Sequence, residues 1–399
     1  MTNPDADRSC HIVAFARTPF GKFQGALAPL EPRELGRLVV DEVVRRAAVP
    51  PDRIDALYAG VGMLAGGALT YVRQLLMTSV LPETTPSLAV DRACCSGMTA
   101  LGLAYKDIRL GEAELIIAGG FDGLSNTPYL LPRQRSARPG NLDLGDPLLL
   151  RTPLLDRSIS QYTSDEALEH GIDRAAQDRW ALRSHQLYFA EHDRGGFDDE
   201  RIAVPGQTGA LLEADEAPRR DASIGALERL KTVYGTATIT PGNAPGLSDG
   251  AAFLALASGA ACAALGLHPV AEIVDYVQVA SGPTSGSYTP AIGVQRLLDR
   301  NALSVGDLDA IEINEAFAAT PLVSLARLAG MDAAAAKALA ARTNQRGGAV
   351  AIGHPLGASG ARITMSLAQT LRYRGGGIGA AAICGGFGQG DALLLRVTD

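Results

Sequence analysis

Two of the five cysteines in this chain of 399 residues are adjacent, in the stretch RACCSGMTA. A cysteine between a strand and a helix is a candidate nucleophile, because free backbone NH groups and the positive end of the helix dipole lower the pKa of its thiol. The strand SLAV at 87–90 and a helix from about residue 96 predict that setting for Cys94 and Cys95. The local pattern does not distinguish the two thiols, and cysteine is also a common core residue.

Three motifs in the second half of the chain carry further reactive groups. GGAVAIGHPLGASGAR holds His354 between a glycine and a proline, just before a predicted helix, so its backbone position is tightly set. INEAF ends a predicted strand with the amide of Asn314 and a carboxylate. ICGGFGQG places Cys384 at a strand end, beside glycines that allow a ligand to approach the backbone. These residue types suit covalent catalysis with proton transfer.

Short apolar segments alternate with helical patterns along the chain. The strand candidates are 11–16, 56–62, 114–120, 269–281, 310–317 and 377–388. A helical pattern with a charged face covers 31–49. This alternation predicts a mixed or parallel sheet with helices on its faces.

An internal repeat organises these elements. Residues 95–121 parallel residues 358–387: each segment has a small residue and Ser-Gly, a helix of about four turns, a glycine break, and an apolar strand ending in Gly-Gly-Phe. We therefore expect two copies of one αβ unit. Residues 121 to about 248 interrupt the pattern with Pro- and Arg-rich loops and a charged helix over 173–197, and insertions of this length are usually functional.

Composition excludes several classes of protein. The formal net charge is −7 and the basic clusters are short, so no nucleic-acid footprint is expected. The odd cysteine count without a CxxC pair argues against a disulfide framework or a structural metal site, and favours the cytoplasm. The N-terminus has no pattern of a signal peptide. The uncharged run 250–271 is rich in Ala and Gly, which favours burial in a soluble protein over a membrane span.

The motifs together resemble those of a thiolase, an acyl-CoA acyltransferase, from residue 10 to the end. The resemblance rests on CCSG at 94–97, NEAF at 314–317, GGAVAIGHPLGASG at 347–360 and CGGFGQG at 384–390, with support from 17–27, 118–131 and 242–252. It implies the α/β thiolase fold: two similar αβ halves with mixed five-stranded sheets in α-β-α-β-α layers, plus an inserted loop domain. The expected domains are 1–270, with the insertion at about 121–248, and 271–399.

The resemblance also assigns roles to the reactive residues. The family pattern Cys-x-Ser-Gly matches Cys94 to the acyl-accepting nucleophile and leaves Cys95 at the variable position. By the same match, His354 accepts or stabilises the thiol proton and Cys384 transfers the proton alpha to the second thioester.

Two oxyanion sites and the coenzyme A contacts are implied in the same way. His354 and a water held by Asn314 would stabilise the enolate, and the NH groups of Cys94 and Gly386 would hold the tetrahedral adduct. The implied contacts with coenzyme A are Arg219, Lys231, Gly246 and Ser248.

The implied function is that of an acetyl-CoA C-acyltransferase of fatty acid metabolism. Such an enzyme catalyses reversible Claisen condensation of acyl-CoAs, or CoA-dependent cleavage of 3-ketoacyl-CoA, through an acyl-Cys94 intermediate. Coenzyme A and acyl-CoA would be substrates, with no permanently bound cofactor, no metal, and no nucleic-acid or membrane partner. The expected assembly is a cytoplasmic homodimer or homotetramer. Two alternatives are a ketoacyl-synthase-type enzyme, against which Cys384 and NEAF speak, and a non-catalytic acyl-CoA-binding or scaffold protein.

The sequence departs from the family at three places. Pro245 replaces a serine that contacts pantetheine, and proline has neither a hydroxyl nor an NH group. Phe387 replaces a glycine, and its bulk would either narrow the acyl pocket or turn into the core. Gln161 and Tyr162 stand where the family commonly has Met-Gly. These departures bear on coenzyme A affinity and acyl-chain preference, which the sequence does not specify.

Overall fold

The computed structural model of the chain describes residues 7–63, 69–131, 144–152, 154–206 and 209–398. Part of the predicted insertion, 132–143, lies outside the described residues.

The strands are β1 (Cys10–Arg17), β2 (Gly21–Lys22), β3 (Ala56–Gly60), β4 (Ser87–Val90), β5 (Leu115–Gly123), β6 (Arg151–Thr152), β7 (Arg157–Ser158), β8 (Val204–Pro205), β9 (Leu211–Leu212), β10 (Ser248–Ser258), β11 (Ala271–Ala280), β12 (Ala310–Ile313), β13 (Gly377–Gly385) and β14 (Gln389–Val397). The helices are α1 (Pro32–Ala47), α2 (Tyr71–Thr78), α3 (Ser96–Leu110), α4 (Ile159–Glu169), α5 (Arg174–Asp193), α6 (Ile224–Glu228), α7 (Gly259–Leu265), α8 (Thr289–Arg300), α9 (Ala319–Leu328), α10 (Ala333–Ala341), α11 (Ala349–Ile352) and α12 (Leu356–Tyr373).

The principal sheet repeats one pairing pattern about its middle. Its order is β12-β13-β14-β11-β1-β10-β5-β3-β4, with β2 paired to β10. On one side β3 runs parallel to β5, and β5, β10 and β1 pair antiparallel. On the other side β12 runs parallel to β13, and β13, β14 and β11 pair antiparallel. Because α3 precedes β5 and α12 precedes β13, the structure confirms the predicted repeat of one αβ unit.

Two details distinguish this sheet from the expected mixed five-stranded sheets of two halves. The first side has five strands, whereas the second has four, and a single bridge between Ile311 and Thr343 stands where β4 stands in the first. In addition, β1 and β11 pair from Cys10 opposite Ile273 to Ile12 opposite Ala271, so the sheet is continuous. This pairing satisfies NH and C=O groups that two separate sheet edges would leave free.

Five layers follow from how the helices pack. Helices α3 and α12 pack on each other and on strands of both sides of the sheet, so they form the central layer. Every residue of α12 from Leu356 to Leu371 is buried, which is possible because the helix is built largely of small and apolar residues. Helix α1 covers β1, β5 and β10 from outside, and α8 covers β11, β13 and β14. The layered arrangement is therefore the predicted one.

Buried ion pairs connect the insertion to the core. Arg17 of β1 donates to Glu200 at 2.7 Å and to Asp215 at 2.6 Å, and Arg346 donates to Glu200 at 2.9 Å and to Glu191 at 2.6 Å. Such fully buried charges require their partners, because an unpaired charge in the interior is very costly. These pairs fix the insertion against the sheet.

The uncharged run 250–271 forms most of β10 and all of α7, with β10 buried throughout. Among the described residues, no helix is long and apolar enough to span a membrane.

Candidate active site

A strained turn contains the two adjacent cysteines. Residues 93–95 form a 3-10 helix between β4 and α3, and Ala93 has φ 52°. A left-handed alanine costs about 1–2 kcal/mol, so the surrounding structure must hold this turn. Ser96 does so, because its Oγ donates to the carbonyl of Ala93 at 2.6 Å and accepts from the NH of Arg92 at 2.8 Å.

The turn gives the two thiols different surroundings. Cys94 is partly exposed and lines two cavities. Cys95 is fully buried, and its thiol donates to the carbonyl of Ile383 at 3.6 Å. Cys95 is thus a core residue, which agrees with its variable position in the family pattern, and of the two thiols only Cys94 faces a space that a substrate can enter.

The expected lowering of the Cys94 pKa is not found. Burial raises the pKa of the thiol, and the nearby Cys384 and Asp122 raise it further; only the backbone NH of Cys94 itself acts in the other direction. The prediction was wrong because the loss of water around the thiol outweighs the one favourable NH group. Cys94 is therefore a neutral thiol at rest and needs a base.

His354 has the orientation of such a base. Its Nδ1 lies 2.6 Å from Oγ of Ser359, whose hydroxyl proton is already donated to the carbonyl of Pro355 at 2.7 Å. Nδ1 must then carry the proton, which leaves the lone pair on Nε2. Burial, and after it the charge of Arg362, lowers the pKa of His354 to about 3. The imidazole is neutral at physiological pH.

The two polar residues of the motif INEAF, Asn314 and Glu315, have different surroundings. Asn314 follows β12 with its Nδ2 3.5 Å from Nε2 of His354, and its Oδ1 is buried without a partner among the described residues. Glu315 points away and accepts hydrogen bonds from Trp180 at 2.8 Å and Ser184 at 2.9 Å of α5. Consecutive residues of an extended chain face opposite sides, so only the amide reaches His354.

Three cavities follow one another around these residues. The middle cavity, of about 300 Å³, is lined by Cys94 and His354, and its described lining contains no Asp, Glu, Lys or Arg. The inner cavity, of about 30 Å³, shares Cys94 with the middle one and adds Cys384 and Gly386. The outer cavity, of about 360 Å³, shares the wall around Gly246 with the middle one. The row leads from the protein surface to the two cysteines.

The predicted coenzyme A contacts are only partly brought together. Arg219, Gly246 and Ser248 line the outer cavity. Lys231 is exposed and lines none of the three cavities among the described residues. Ser248 also joins the outer cavity to the site, because its Oγ accepts from the NH of His354 at 3.1 Å. Pro245 lines the middle cavity without offering a hydrogen bond.

Cys384 is buried at the end of β13. Burial, and next the charge of Glu166, raises the pKa of its thiol to about 12, so this thiol is also neutral at rest. The glycine after it is required by close contact: a Cβ at Gly385 would stand 2.7 Å from Sγ of Cys95 and 2.9 Å from the carbonyl of Arg92. This contact holds the Cys384 strand end against the Cys94 turn.

Phe387 takes neither of the two expected positions. It lines none of the three cavities and is 40% exposed, so it neither narrows the pocket nor enters the core. Its φ of 60° explains the glycine that the family has at this position, because a residue with a side chain is strained there.

Several residues of the site carried no clear signal in the sequence. His185 lines the outer cavity, and burial and the charge of Arg219 lower its pKa to about 4. Asp122 accepts from the NH of Gly357 at 2.5 Å and from that of Gly62 at 3.0 Å, and burial raises its pKa to about 7. Ser359 lies within the motif GGAVAIGHPLGASGAR, but its role depends on the hydrogen bond to His354.

Gln161 and Tyr162 separate into a structural and a cavity residue. The side chain of Gln161 accepts from the NH of Ser158 at 2.9 Å, which caps the start of α4. Tyr162 instead lines the inner cavity. In the part of the chain that is described, no group of three or more His, Cys, Asp or Glu side chains is placed to hold a metal ion.

Comparison with known proteins covers almost the whole chain. The family model for the thiolase N-terminal domain matches residues 10–260, and that for the thiolase C-terminal domain matches residues 267–397. A probable acetyl-CoA acetyltransferase of Escherichia coli (strain K12) is 37% identical over 96% of this chain and 98% of the relative. A beta-ketoadipyl-CoA thiolase of Pseudomonas knackmussii is 36% identical over 98% of this chain and 99% of the relative.

Solved structures agree with these sequence matches. Human mitochondrial 3-ketoacyl-CoA thiolase in complex with CoA superposes with a TM-score of 0.92 and 31% identity, over 99% of each chain. The Bacillus anthracis acetyl-CoA acetyltransferase gives a TM-score of 0.92 and 33% identity, over 98% of this chain and 99% of the other. Family models, relatives and folds all match across both halves of the repeat, and the chain belongs to the thiolase family of acyltransferases.

Proposed function

We propose that this chain is an acetyl-CoA C-acyltransferase that carries its acyl group on Cys94 and cleaves or forms 3-ketoacyl-CoA reversibly. The observation that supports this most is that Cys94 and Cys384 line one small cavity, while His354, whose Nδ1 is held by Ser359, lines the adjoining cavity together with Cys94. The cleavage of a carbon–carbon bond by a thiol needs a nucleophile, a proton acceptor and a proton donor close together.

In the cleavage direction, the first step forms the bond to Cys94. Its thiol proton passes to Nε2 of His354, and the sulfur attacks the 3-keto carbon of the substrate. The NH groups of Cys94 and Gly386 would then hold the oxyanion of the tetrahedral adduct. A neutral His354 suits this role, because a protonated imidazole could not accept the proton.

The second step breaks the bond between C2 and C3. The adduct returns its electron pair from oxygen, leaves the shortened acyl group on Cys94, and releases the enolate of acetyl-CoA. The Cys384 thiol gives its proton to C2, which suits a thiol that is neutral at rest. The enolate oxygen would be stabilised by His354 and by a water on Oδ1 of Asn314, since a buried amide oxygen normally has a partner.

The third step regenerates the enzyme. A coenzyme A thiol gives its proton to the Cys384 thiolate, and its sulfur attacks the acyl group on Cys94. The acyl group passes to coenzyme A, and the Cys94 thiolate leaves and recovers its proton from His354. Condensation is the reverse of these steps. Arg219 at the outer cavity would contact the phosphates of coenzyme A, and Gly246 and Ser248 would line the passage for pantetheine. Lys231 stays a weaker prediction, because it lines none of the three cavities.

We also propose that the two domains span 1–270 and 271–399, that the enzyme is a homodimer or homotetramer, and that it acts in the cytoplasm. The domain boundary is supported by the sheet, because the chain passes from the first side to the second between β10 and β11. The cytoplasmic location is supported by the bacterial source of relatives such as that of Escherichia coli.

The decisive test is intact-protein mass spectrometry after incubation with acetoacetyl-CoA. The wild type should carry an acetyl adduct. Cys94→Ala should carry none and should lose cleavage by a factor of about 10⁴ or more, because the covalent route is gone. The control is Cys95→Ala, the adjacent buried thiol, which should still be acylated. An adduct of equal extent on Cys94→Ala would disprove the assignment of the nucleophile.

A further inference from the structure

Tyr162 forms a wall of the smallest part of the site. It lies on α4, its side chain is 4% exposed, and it lines the inner cavity together with Cys94 and Cys384. A tyrosine at this position departs from the glycine that thiolases commonly have there, so the ring occupies space that a glycine would leave open.

The ring has little freedom to withdraw. Its helix begins at the Ser158–Gln161 capping box. Ser164, two residues after Tyr162, lies 3.0 Å from the hydroxyl of Thr238. One turn after Tyr162, Glu166 accepts from the NH of Ser287 at 2.6 Å, and Ser287 also lines the cavity. Contacts on both sides of Tyr162 therefore fix the helix that carries it.

The remaining space is very small. The inner cavity measures about 30 Å³, whereas the middle cavity, which Cys94 also lines, measures about 300 Å³. About 10–15 Å³ of such volume is enough for one water molecule, so the inner cavity holds roughly one or two groups of methyl size. The phenol hydroxyl makes no hydrogen bond to a described residue, so no local bond requires a tyrosine instead of a smaller residue here.

The chemistry of the proposed reaction locates one carbon in this cavity. C3 of the substrate bonds to the sulfur of Cys94, and C2 exchanges its proton with Cys384. C2 must therefore lie near both thiols, and the cavity that both line is the inner one. Any substituent on C2 has to share about 30 Å³ with C2 itself, beside the ring of Tyr162.

We propose that Tyr162 restricts the enzyme to 3-ketoacyl-CoA substrates without a branch at C2, so that the released two-carbon unit is acetyl-CoA and not propionyl-CoA. This inference rests on the proposed function. This limit does not apply to the chain on C3, because C3 is bound to Cys94 and Cys94 also lines the larger middle cavity.

The test compares kcat/KM for CoA-dependent cleavage of acetoacetyl-CoA and of 2-methylacetoacetyl-CoA, with products separated by chromatography. Forcing one extra methyl group into a packed site lowers the rate by about ten- to a hundredfold, and we expect that preference for the unbranched substrate in the wild type. Tyr162→Ala should reduce the preference about tenfold or more by admitting the branched substrate. Tyr162→Phe, which keeps the ring and removes the hydroxyl, should retain the wild-type preference.

The outcomes separate this inference from the proposed function. If the wild type cleaves neither substrate, the proposed function fails. If the wild type cleaves both equally well, or if Tyr162→Ala leaves the preference unchanged while cleaving acetoacetyl-CoA, Tyr162 does not set the limit. If Tyr162→Phe relaxes the preference as far as Tyr162→Ala does, the hydroxyl and not the ring is responsible, which also overturns the proposal. Tyr162→Leu provides a second smaller side chain should the alanine variant unfold.

Discussion

The two copies of the αβ unit share a scaffold but present different chemistry. In the first copy the turn before α3 carries Cys94, and in the second copy the loop before α12 carries His354. Both helices lie in the central layer and pack on each other, so their starting points meet at one end of the sheet. A repeat within one chain thus builds an asymmetric site, in which each copy supplies a group that the other lacks.

The strand ends differ most, although both read Gly-Gly-Phe. In the first copy β5 continues through Phe121, which is fully buried. Its ring centroid lies 5.7 Å from that of Tyr71 and 6.4 Å from that of Phe253. In the second copy β13 ends at Gly385, and the chain turns back into β14 with Phe387 in the left-handed region. The same three residue types therefore form core in one copy and a turn beside Cys384 in the other.

In the comparison of the two strand ends, the largest effect is expected from removing the Cys384 thiol of the second one. Cys384→Ala should still form the acyl adduct on Cys94 but should lose exchange of the alpha proton of acetyl-CoA with solvent deuterium by a factor of about 10²–10⁴, the usual contribution of a general acid or base. NMR or mass spectrometry of the recovered acetyl-CoA measures this. Cys262→Ala, which changes a buried thiol far along the chain in α7, is the control. Exchange at the wild-type rate in Cys384→Ala would remove this residue as the proton carrier.

Substitution of Phe121 and of Phe387 should have very different effects on the free energy of unfolding. Phe121→Ala should lower the free energy of unfolding by about 3–5 kcal/mol, because it opens a cavity in a packed core. Phe387→Ala should change it by less than about 1 kcal/mol, since its side chain is 40% exposed. Urea unfolding followed by the fluorescence of the single tryptophan, Trp180, measures both. Similar losses in the two variants would contradict the difference between the strand ends.

His354, at the start of the second copy, should make stability depend on pH. The unfolded imidazole binds a proton as the pH falls below 6.5, whereas the folded one does so only at about pH 3. The free energy of unfolding therefore has its full value with respect to His354 above pH 6.5, and it decreases as the pH falls below 6.5. Between pH 7 and about pH 5, the wild type should lose about 2 kcal/mol more than His354→Asn in urea unfolding. Equal losses in the two proteins would show that the histidine is not held neutral.

The smallest effect concerns the insertion, which lies outside both copies. Arg219→Ala should raise KM for coenzyme A by no more than about fivefold with kcat unchanged, because an exposed ionic contact contributes little. The effect should shrink as salt is added. The control is Arg220→Ala, since that neighbouring side chain is paired with Asp193 at 2.6 Å. If Arg220→Ala raises KM and Arg219→Ala does not, the coenzyme A contact is assigned to the wrong arginine.

The scaffold was predictable because it depends on patterns that recur along the chain. Apolar runs and glycine breaks predicted the strands and the repeat, and β1, β5, β11 and β13 lie where those patterns indicated. Cys94, His354, Cys384 and Asn314 were found from motifs whose residue types have few other uses together. The fate of Phe387 was missed because a dihedral angle is not visible in residue types, and the Cys94 pKa was predicted in the wrong direction because burial depends on the surrounding fold.

The sequence alone determined the family and the two-copy architecture and nominated the reactive side chains, because these follow from residue types in a fixed order. Only the tertiary structure decided which side chains share a space. It turned Cys94 toward the cavities and Cys95 into the core through a strained Ala93, and it set the tautomer of His354 through Ser359. It also placed Tyr162 beside two thiols that lie 68 and 222 positions away from it in the chain. Such contacts arise from packing between distant segments, and no local pattern records them.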